Sequence, residues 1–204
     1  MGNNKRLIDV LTDVGNIKIV NDKRIYMPSD DSFLIIKAML ILKNKGYSFN
    51  RIIDIGTGSG ILSIAAQRIF DPKVLVSIDI SPYAVVNAKK AIEKEGVRNL
   101  VIRCDGTSCL RGKYDLSIVN PPYLPSNDKI KKGSWIVKTW QEGRNHKKLC
   151  LSSTISENIL ILKSSLSKFN QDKCLKKFNY NKIELVKTNA FMERLEVNFW
   201  ENLK

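Results

Sequence analysis

Residues Asp54-Ile-Gly-Thr-Gly-Ser-Gly-Ile-Leu62 limit the possible folds of this chain more than any other stretch. Arg51-Ile-Ile-Asp-Ile55 before them is a short apolar run holding one acid, which suits a strand buried on both faces of a parallel sheet. Gly56, Gly58 and Gly60 allow a tight turn whose backbone can approach a ligand closely. Ile61–Phe70 then reads as a helix that begins at the turn, with unpaired N–H groups suited to a carboxylate or phosphate. Strand, glycine turn and helix in this order define a nucleotide-binding βα unit only when other strand ends supply matching chemistry.

Further units follow. The sequence predicts strands at Lys73–Asp79, Leu100–Cys104, Tyr114–Val119 and Asn158–Lys163, with a helix from the Ser81-Pro82 cap to Gly96 and another over Leu166–Phe178. Ile183–Thr188 and Arg194–Phe199 are expected to pair antiparallel at the end. Alternating strands and helices predict a mostly parallel sheet covered on both faces. Before it, Leu7, Val10, Leu11 and Val14 have helical spacing, Ile17–Val20 and Arg24–Tyr26 read as a hairpin, and Pro28–Leu34 opens a helix reaching Lys45-Gly46. Ser29 suits the N-cap of that helix, and Asp30 and Asp31 suit its positive end. The expected organisation is one domain over residues 1–204, with a helix, hairpin and helix lead-in at 1–46 and an α/β core at 47–204. Pro125–Lys148 reads as a polar, basic loop.

In open parallel sheets, ligands bind beyond the carboxyl ends of the strands. Asp79 ends the second core strand, where an acid can accept hydrogen bonds from both hydroxyls of a ribose. Asp105, after the third, can accept from an exocyclic amine or simply form a turn. The fourth strand runs into Asn120-Pro-Pro-Tyr123. Two prolines remove two N–H donors, so this corner offers oxygens: the Asn120 side chain and the Pro121 carbonyl can both accept from one planar NH2 group. Tyr123 adds a flat stacking face.

These motifs, in this order and spacing, resemble class I S-adenosylmethionine-dependent methyltransferases acting on planar nitrogen. The chain is most similar to the HemK/PrmC-related group, in its short archaeal and eukaryotic branch, which methylates the glutamine of the GGQ motif in class I release factors. Tyr26–Leu34 and Asn120–Pro125 carry that likeness. It implies a Rossmann-like fold, a mostly parallel seven-stranded sheet with helices on both faces and a final antiparallel strand. It further implies S-adenosyl-L-methionine as cofactor, held by Ser32, Asp54, Gly56, Thr57, Gly58, Gly60, Asp79, Ile80, Asp105, Gly106 and Asn120. Asn120, Pro121, Pro122 and Tyr123 would hold the target amide. Relatives work with a small zinc-binding activator, for which the strand Leu100–Cys104 is an expected docking edge by strand addition. The chain departs from the family pattern after the corner, where only Trp140 and Gly143 match a tryptophan and glycine-rich acidic segment.

Composition adds the remaining bounds. The net charge is +14, and residues 129–204 carry 16 basic against 7 acidic side chains. Such a basic region suits nucleic acid or a ribonucleoprotein, or is a lysine-rich solvated surface. Methylation of an adenine or guanine amine in RNA or DNA is therefore the second reading, and an inactive cofactor-binding scaffold the third. The lone His146 reads as a solvated loop residue, and no residue set has metal-ligand spacing. Cys104, Cys109, Cys150 and Cys174 lack zinc-finger or CxxC spacing and are expected to be incidental thiols. With no apolar run of roughly 18–20 residues, no signal-peptide core and Arg6 breaking a myristoylation motif at Gly2, a cytoplasmic protein with no membrane contact is expected.

Overall fold

The computed structural model describes residues 6–121, 150–167, 170–190 and 193–203. Its centre is a seven-stranded sheet that forms because five short apolar segments recur at the spacing of βα units. The strands are β3 (Arg51–Ile55), β4 (Val74–Asp79), β5 (Leu100–Arg103), β6 (Tyr114–Val119), β7 (Ser156–Ser164), β8 (Tyr180–Ala190) and β9 (Glu193–Asn202). Their spatial order is β5-β4-β3-β6-β7-β9-β8. The pairings β5–β4, β4–β3, β3–β6 and β6–β7 are parallel, while β9 runs antiparallel to both β7 and β8. Only β9 is reversed, so the expected sheet is present down to its one antiparallel strand. The order reverses between β3 and β6, which makes their carboxyl ends the switch point.

Helices α1 (Asp30–Asn44), α2 (Ile61–Phe70) and α3 (Pro82–Lys94) pack on one face. Ile52, Leu116, Leu160, Leu162, Val197 and Phe199 share that layer with Ile35 and Met39 of α1, Ile64 of α2 and Ala88 of α3. The other face buries Ile53, Ile78, Val119, Ile161 and Trp200. Residues 150–153 form a helical turn, and Cys150 joins this second layer together with Leu175 of α4 (Gln171–Lys176). Helix α4 is shorter than its expected span of Leu166–Phe178. Asn170 sets its start by accepting from the Lys173 amide at 2.8 Å, and the Gln171 side chain is drawn inward to the Leu162 carbonyl at 2.6 Å.

The lead-in differs more. The helix expected over residues 6–14 is instead strand β1 (Leu7–Thr12), paired antiparallel with β2 (Gly15–Val20), and residues 24–26 form no strand. Turn chemistry overrides the apolar spacing. Gly15 adopts φ +89°, and Thr12 Oγ1 donates to the Gly15 carbonyl at 2.7 Å and accepts from the Val14 amide at 3.2 Å. Ile17 and Ile19 then alternate into the core while Leu11 stays exposed. The Arg68 guanidinium fastens the hairpin, donating to the Val14 carbonyl at 2.9 Å and pairing with Glu95, which accepts from the Lys18 amide at 2.8 Å.

The cysteines also depart from expectation. Cys104 is joined to Cys109 and Cys150 to Cys174 as disulfides. Among the described residues, no helix is long and apolar enough to cross a membrane.

Candidate functional site

At the switch point the two sides of the sheet are built differently. On the β3–β4 side, the turn after β3 is held by its own hydrogen bonds. The Gly56 and Thr57 amides both donate to the Ile78 carbonyl, at 2.8 and 3.0 Å, and the Gly60 amide donates to Thr57 at 2.9 Å. The Gly58 amide donates to Asp79 Oδ2 at 3.0 Å. Four of the turn's amides are thus engaged inside the protein. In the first turn of α2 the N-cap Gly60 gives no side-chain cap, and the Ser63 amide is directed at Asp54. Gly60 is a packing glycine: at φ +86° a Cβ would lie 3.2 Å from the Ala88 Cα. At Gly56, also left-handed, a Cβ would meet nothing within 4 Å, so the turn leaves a cradle there.

Asp54 is fully buried beneath this turn. Its Oδ2 accepts from Thr57 Oγ1 and Ser63 Oγ, each at 2.7 Å, which ties β3 to both the turn and α2. Since the Ser63 proton goes to Asp54, the Ser77 hydroxyl must donate to Ser63 at 2.5 Å, and Ser77 in turn accepts from Asn99 Nδ2 at 2.7 Å. The result is a one-way chain of donors ending on the carboxylate. Asp54 Oδ1 has no partner. Burial, only partly offset by the two hydroxyls, pushes the Asp54 carboxyl up to about 6. Asp79 accepts from Ser81 N at 2.8 Å as well as from Gly58, and burial pushes its carboxyl up too. The Ile80 amide is directed at Asp79 too, and the carboxylate keeps acceptor capacity for a further donor. Ile80 is exposed beside it, and its carbonyl accepts from Arg103 Nε at 3.2 Å. Asp105 is exposed and Gly106 half-buried, in the loop closed by the Cys104–Cys109 link.

On the β6 side, Asn120 follows the last strand residue. Its Nδ2 donates to Asp31 Oδ2 at 3.0 Å, while its Oδ1 is buried without a partner. Pro121 is buried next to it. Pro122, Tyr123, Trp140, Gly143, His146 and the loop Pro125–Lys148 lie outside the described residues. Asp31 and Ser32, in the first turn of α1, are both buried. The Ser32 amide (2.5 Å) and hydroxyl (3.1 Å) donate to Asp31 Oδ1, as does Ser29 Oγ at 3.2 Å. Ser29 gives α1 no side-chain cap, because its hydroxyl is turned to Asp31 and Tyr26. To donate to a ligand carboxylate, Ser32 has to rotate its hydroxyl off Asp31.

The structure therefore brings Ser32, Asn120 and Pro121 to one corner and Asp54, Gly56, Thr57, Gly58, Gly60, Asp79 and Ile80 to the neighbouring turn. Sequence reasoning missed Asp31, which it treated as helix-dipole decoration together with Asp30. The available signal was phase: Asp31 shares a helix face with the buried Leu34, Ile35, Ala38 and Leu42, whereas Asp30 is exposed. It also missed Ser63, Ser77 and Asn99, small polar residues with no motif to mark them.

Strand order, switch-point turn and reversed β9 together define a Rossmann-like class I methyltransferase fold. Two solved structures share it. A T. thermophilus 16S rRNA N2 G1207 methyltransferase, in complex with AdoMet and guanosine, superimposes with a TM-score of 0.74 at 14% identity, over 97% of this chain and 50% of that one. Mtq2 of the E. cuniculi Mtq2–Trm112 complex, responsible for methylation of the eRF1 termination factor, gives 0.64 at 19% identity, over 88% of this chain and 99% of that one. The chain belongs to the methyltransferase small domain family, which its residues 31–138 match. A putative protein N5-glutamine methyltransferase of Methanocaldococcus jannaschii is 30% identical over 140 residues, covering 69% of this chain and 68% of that protein. The chain spans only 31–41% of the bacterial release factor glutamine methyltransferases that it also matches.

Proposed function

We propose that this protein is an S-adenosylmethionine-dependent methyltransferase acting on a glutamine side-chain amide, that of the GGQ motif in a class I release factor. The observation that carries the reading is Asn120 Oδ1, a buried acceptor without a partner at the carboxyl end of β6. A buried unmet acceptor is costly, so its retention at a switch point points to a donor supplied by substrate. The M. jannaschii relative, named as a putative protein N5-glutamine methyltransferase, supports the choice of an amide, and Mtq2, named for methylation of eRF1, supports a termination factor as the protein that carries it.

The residues around the turn fit the cofactor. Asp79 keeps acceptor capacity for a ribose hydroxyl, Ile80 offers an apolar surface beside it for a base, and Asp105 and Gly106 border the same side. Gly56 leaves open space, and the uncapped first turn of α2 offers amides to a carboxylate, with Ser32 as a further donor once its hydroxyl rotates. The buried carboxylates Asp54 and Asp79 favour a cationic group nearby. When bound, the cofactor supplies a methyl group on sulfonium.

The chain's own task is to make a poor nucleophile adequate. An amide nitrogen donates its lone pair into its carbonyl. Asn120 Oδ1 and the Pro121 carbonyl, each accepting one N–H of the target, draw the lone pair back onto nitrogen and aim it at the methyl carbon. With the amide so held, the cofactor would supply a methyl group to nitrogen, the electron pair of its C–S bond staying on sulfur, and the surplus proton would leave nitrogen for water. Positioning and electrostatics carry this step, and no strong base is needed. Pro122 and Tyr123, the next residues of the motif, are assigned to holding the amide by the family resemblance.

A second reading keeps the corner and changes the polymer. The +14 charge and the likeness to an rRNA guanine methyltransferase favour a nucleobase amine, whose planar NH2 presents the same two donors. A release-factor substrate places the reaction in the cytoplasm. It also brings in the activator: β5 is an edge of the sheet, and its Leu100 is 60% exposed in line with Ile102, which suits strand addition by a small zinc-binding subunit.

One experiment decides between the readings. The protein is incubated with methyl-labelled cofactor, release factor and total RNA, with and without the activator. Label is expected on the release factor, and is expected to vanish when the GGQ glutamine is replaced. Label on RNA alone overturns the glutamine reading in favour of the second.

A further inference from the structure

We propose that Asp31 is a positioning residue that fixes which end of the Asn120 amide faces the substrate. The inference rests on the reading of this corner as an acceptor pair for a planar NH2 group, and adds a residue that acts through Asn120 without touching the reacting atoms.

A carboxamide is nearly symmetric in shape but opposite in chemistry at its two ends. Rotated half a turn about its last bond, Asn120 fills the same volume and presents two N–H donors in place of an oxygen. Those donors would oppose the substrate's own N–H groups and abolish the pull on its lone pair. Shape by itself does not distinguish the two orientations. A carboxylate does, because it accepts only. Asp31 Oδ2 lies 3.0 Å from the Asn120 side-chain nitrogen, which must therefore be the NH2 end, and Oδ1 of Asn120 is left facing away from it without a partner.

Asp31 is itself held so that it can perform this selection. It is 1% exposed, and three donors converge on its other oxygen: the Ser32 amide, the Ser32 hydroxyl and the Ser29 hydroxyl. Its carboxylate cannot turn without leaving that backbone amide unmet in the interior. The orientation set in the first turn of α1 is thereby transmitted across to the end of β6. The same residue pair also explains why Asp31 is buried while its neighbour Asp30 is exposed, although a dipole role would suit both equally.

The test exchanges the polarity of the pair. In Asp31→Asn, the oxygen stays on the Ser32 amide and the new NH2 group points at Asn120, which must rotate to accept and so turns its own NH2 toward substrate. Turnover at saturating cofactor and substrate should fall about 100-fold or more, with the cofactor Kd within about threefold by calorimetry. Asn120→Asp alone sets two carboxylates against each other and should be equally impaired. The double variant D31N/N120D restores one donor and one acceptor across the bridge, and leaves a free oxygen toward substrate. It should recover about tenfold or more over either single variant, an effect no purely structural role of Asp31 produces. In 15N spectra the Asn120 side-chain NH2 resonances should shift in D31N without any cofactor present. Melting curves verify that all three variants fold.

Release factor and total RNA are offered together, so the two ideas fail separately. Label on RNA alone overturns the glutamine reading, and the swap is then scored on RNA. On whichever polymer the wild type labels, a D31N variant as fast as wild type overturns the Asp31 proposal. So does a folded, cofactor-binding double variant no better than the worse single one. A wild type that labels neither polymer overturns both.

Discussion

The two halves of the switch point follow opposite policies toward hydrogen bonding. On the β3–β4 side most polar groups are already matched: four turn amides are engaged, Asp79 receives backbone donors, and a chain from Asn99 through Ser77 and Ser63 ends on Asp54, with Asp54 Oδ1 and Asn99 Oδ1 the exceptions. On the β6 side Asn120 is only half-matched, with its nitrogen fastened to Asp31 and its oxygen unmet. A matched framework keeps its shape before any ligand arrives. A half-matched side chain waits for the donor that will complete it. Substitutions in the first should damage stability and cofactor affinity together, whereas substitutions in the second should damage turnover while cofactor affinity is kept.

Asn120→Ala gives the largest expected effect and the most direct test of that separation. Turnover should drop by about 10²–10³-fold, the range found when one donor or acceptor to the reacting group is removed. The melting temperature should also fall, because the buried Asp31 carboxylate loses the Asn120 donor, even though an acceptor without a partner is deleted with the amide; the separation is therefore read from turnover against cofactor affinity in folded protein. Steady-state kinetics and calorimetry together would refute the contrast if cofactor affinity fell in step with turnover.

Asp54 tests the other half through pH. Its carboxyl is near the ordinary range when unfolded and at about 6 when folded. Below pH ~4 the acid is protonated in both states and makes no difference to stability. As pH rises through the window from ~4 to ~6, the unfolded chain releases its proton before the folded chain does, so stability falls. The loss approaches about 3 kcal/mol above the folded value, at about 1.4 kcal/mol for each unit. Asp54→Asn keeps an oxygen for Thr57 and Ser63 and removes the titration. Denaturant melts at several pH values should show the gap between the two proteins changing in the variant's favour from about pH 4 to about 6. A gap that is constant with pH would mean that the buried carboxylate is not desolvated as the fold implies.

Gly60 probes the packing beneath the turn. Alanine there combines a left-handed φ of +86° with a Cβ 3.2–3.3 Å from the Ala88 Cα and Cβ. A cost of about 1–3 kcal/mol is expected in thermal or denaturant unfolding. Pairing it with Ala88→Gly removes the contact to the Ala88 Cβ but neither the contact to its Cα nor the backbone strain, so recovery should be partial. Full recovery would assign the glycine to side-chain crowding alone.

Legibility in the sequence divides along the same line. The parallel strands could be read because burial on both faces demands unbroken apolar runs such as Ile159–Leu162, and the reversed β9 because its alternation sorts Leu195, Val197 and Phe199 to one face. The glycine turn and the Asn-Pro-Pro corner could be read because few residue types provide their geometry. The first hairpin could not, since Leu7, Val10, Leu11 and Val14 fit a helical period, and only the Thr12–Gly15 turn bonds decide otherwise. The hydroxyl network could not either, because serine has no preferred partner until the fold supplies one. Asp31 was half-legible: its position in phase with Leu34, Ile35 and Ala38 marks it as inward-facing, but nothing in the sequence places Asn120 opposite it.

The smallest effect on the protein alone is expected at β5, where groups are unmet in a different sense. Among the described residues it is an edge strand, with one row of backbone N–H and C=O groups that no neighbouring strand pairs. Leu100, 60% exposed, makes little packing there. Leu100→Glu should therefore change the unfolding free energy by less than about 0.5 kcal/mol. Its charge, however, would have to be buried by any chain that adds a strand at that edge. If a small zinc-binding subunit docks there, copurification with this variant should be lost while wild-type protein retains it, and activity measured with the subunit present should fall to the level of the isolated chain. Retained copurification would move the docking surface elsewhere, for example to the opposite edge at β8, and would leave the contrast between the matched turn and the half-matched corner untouched.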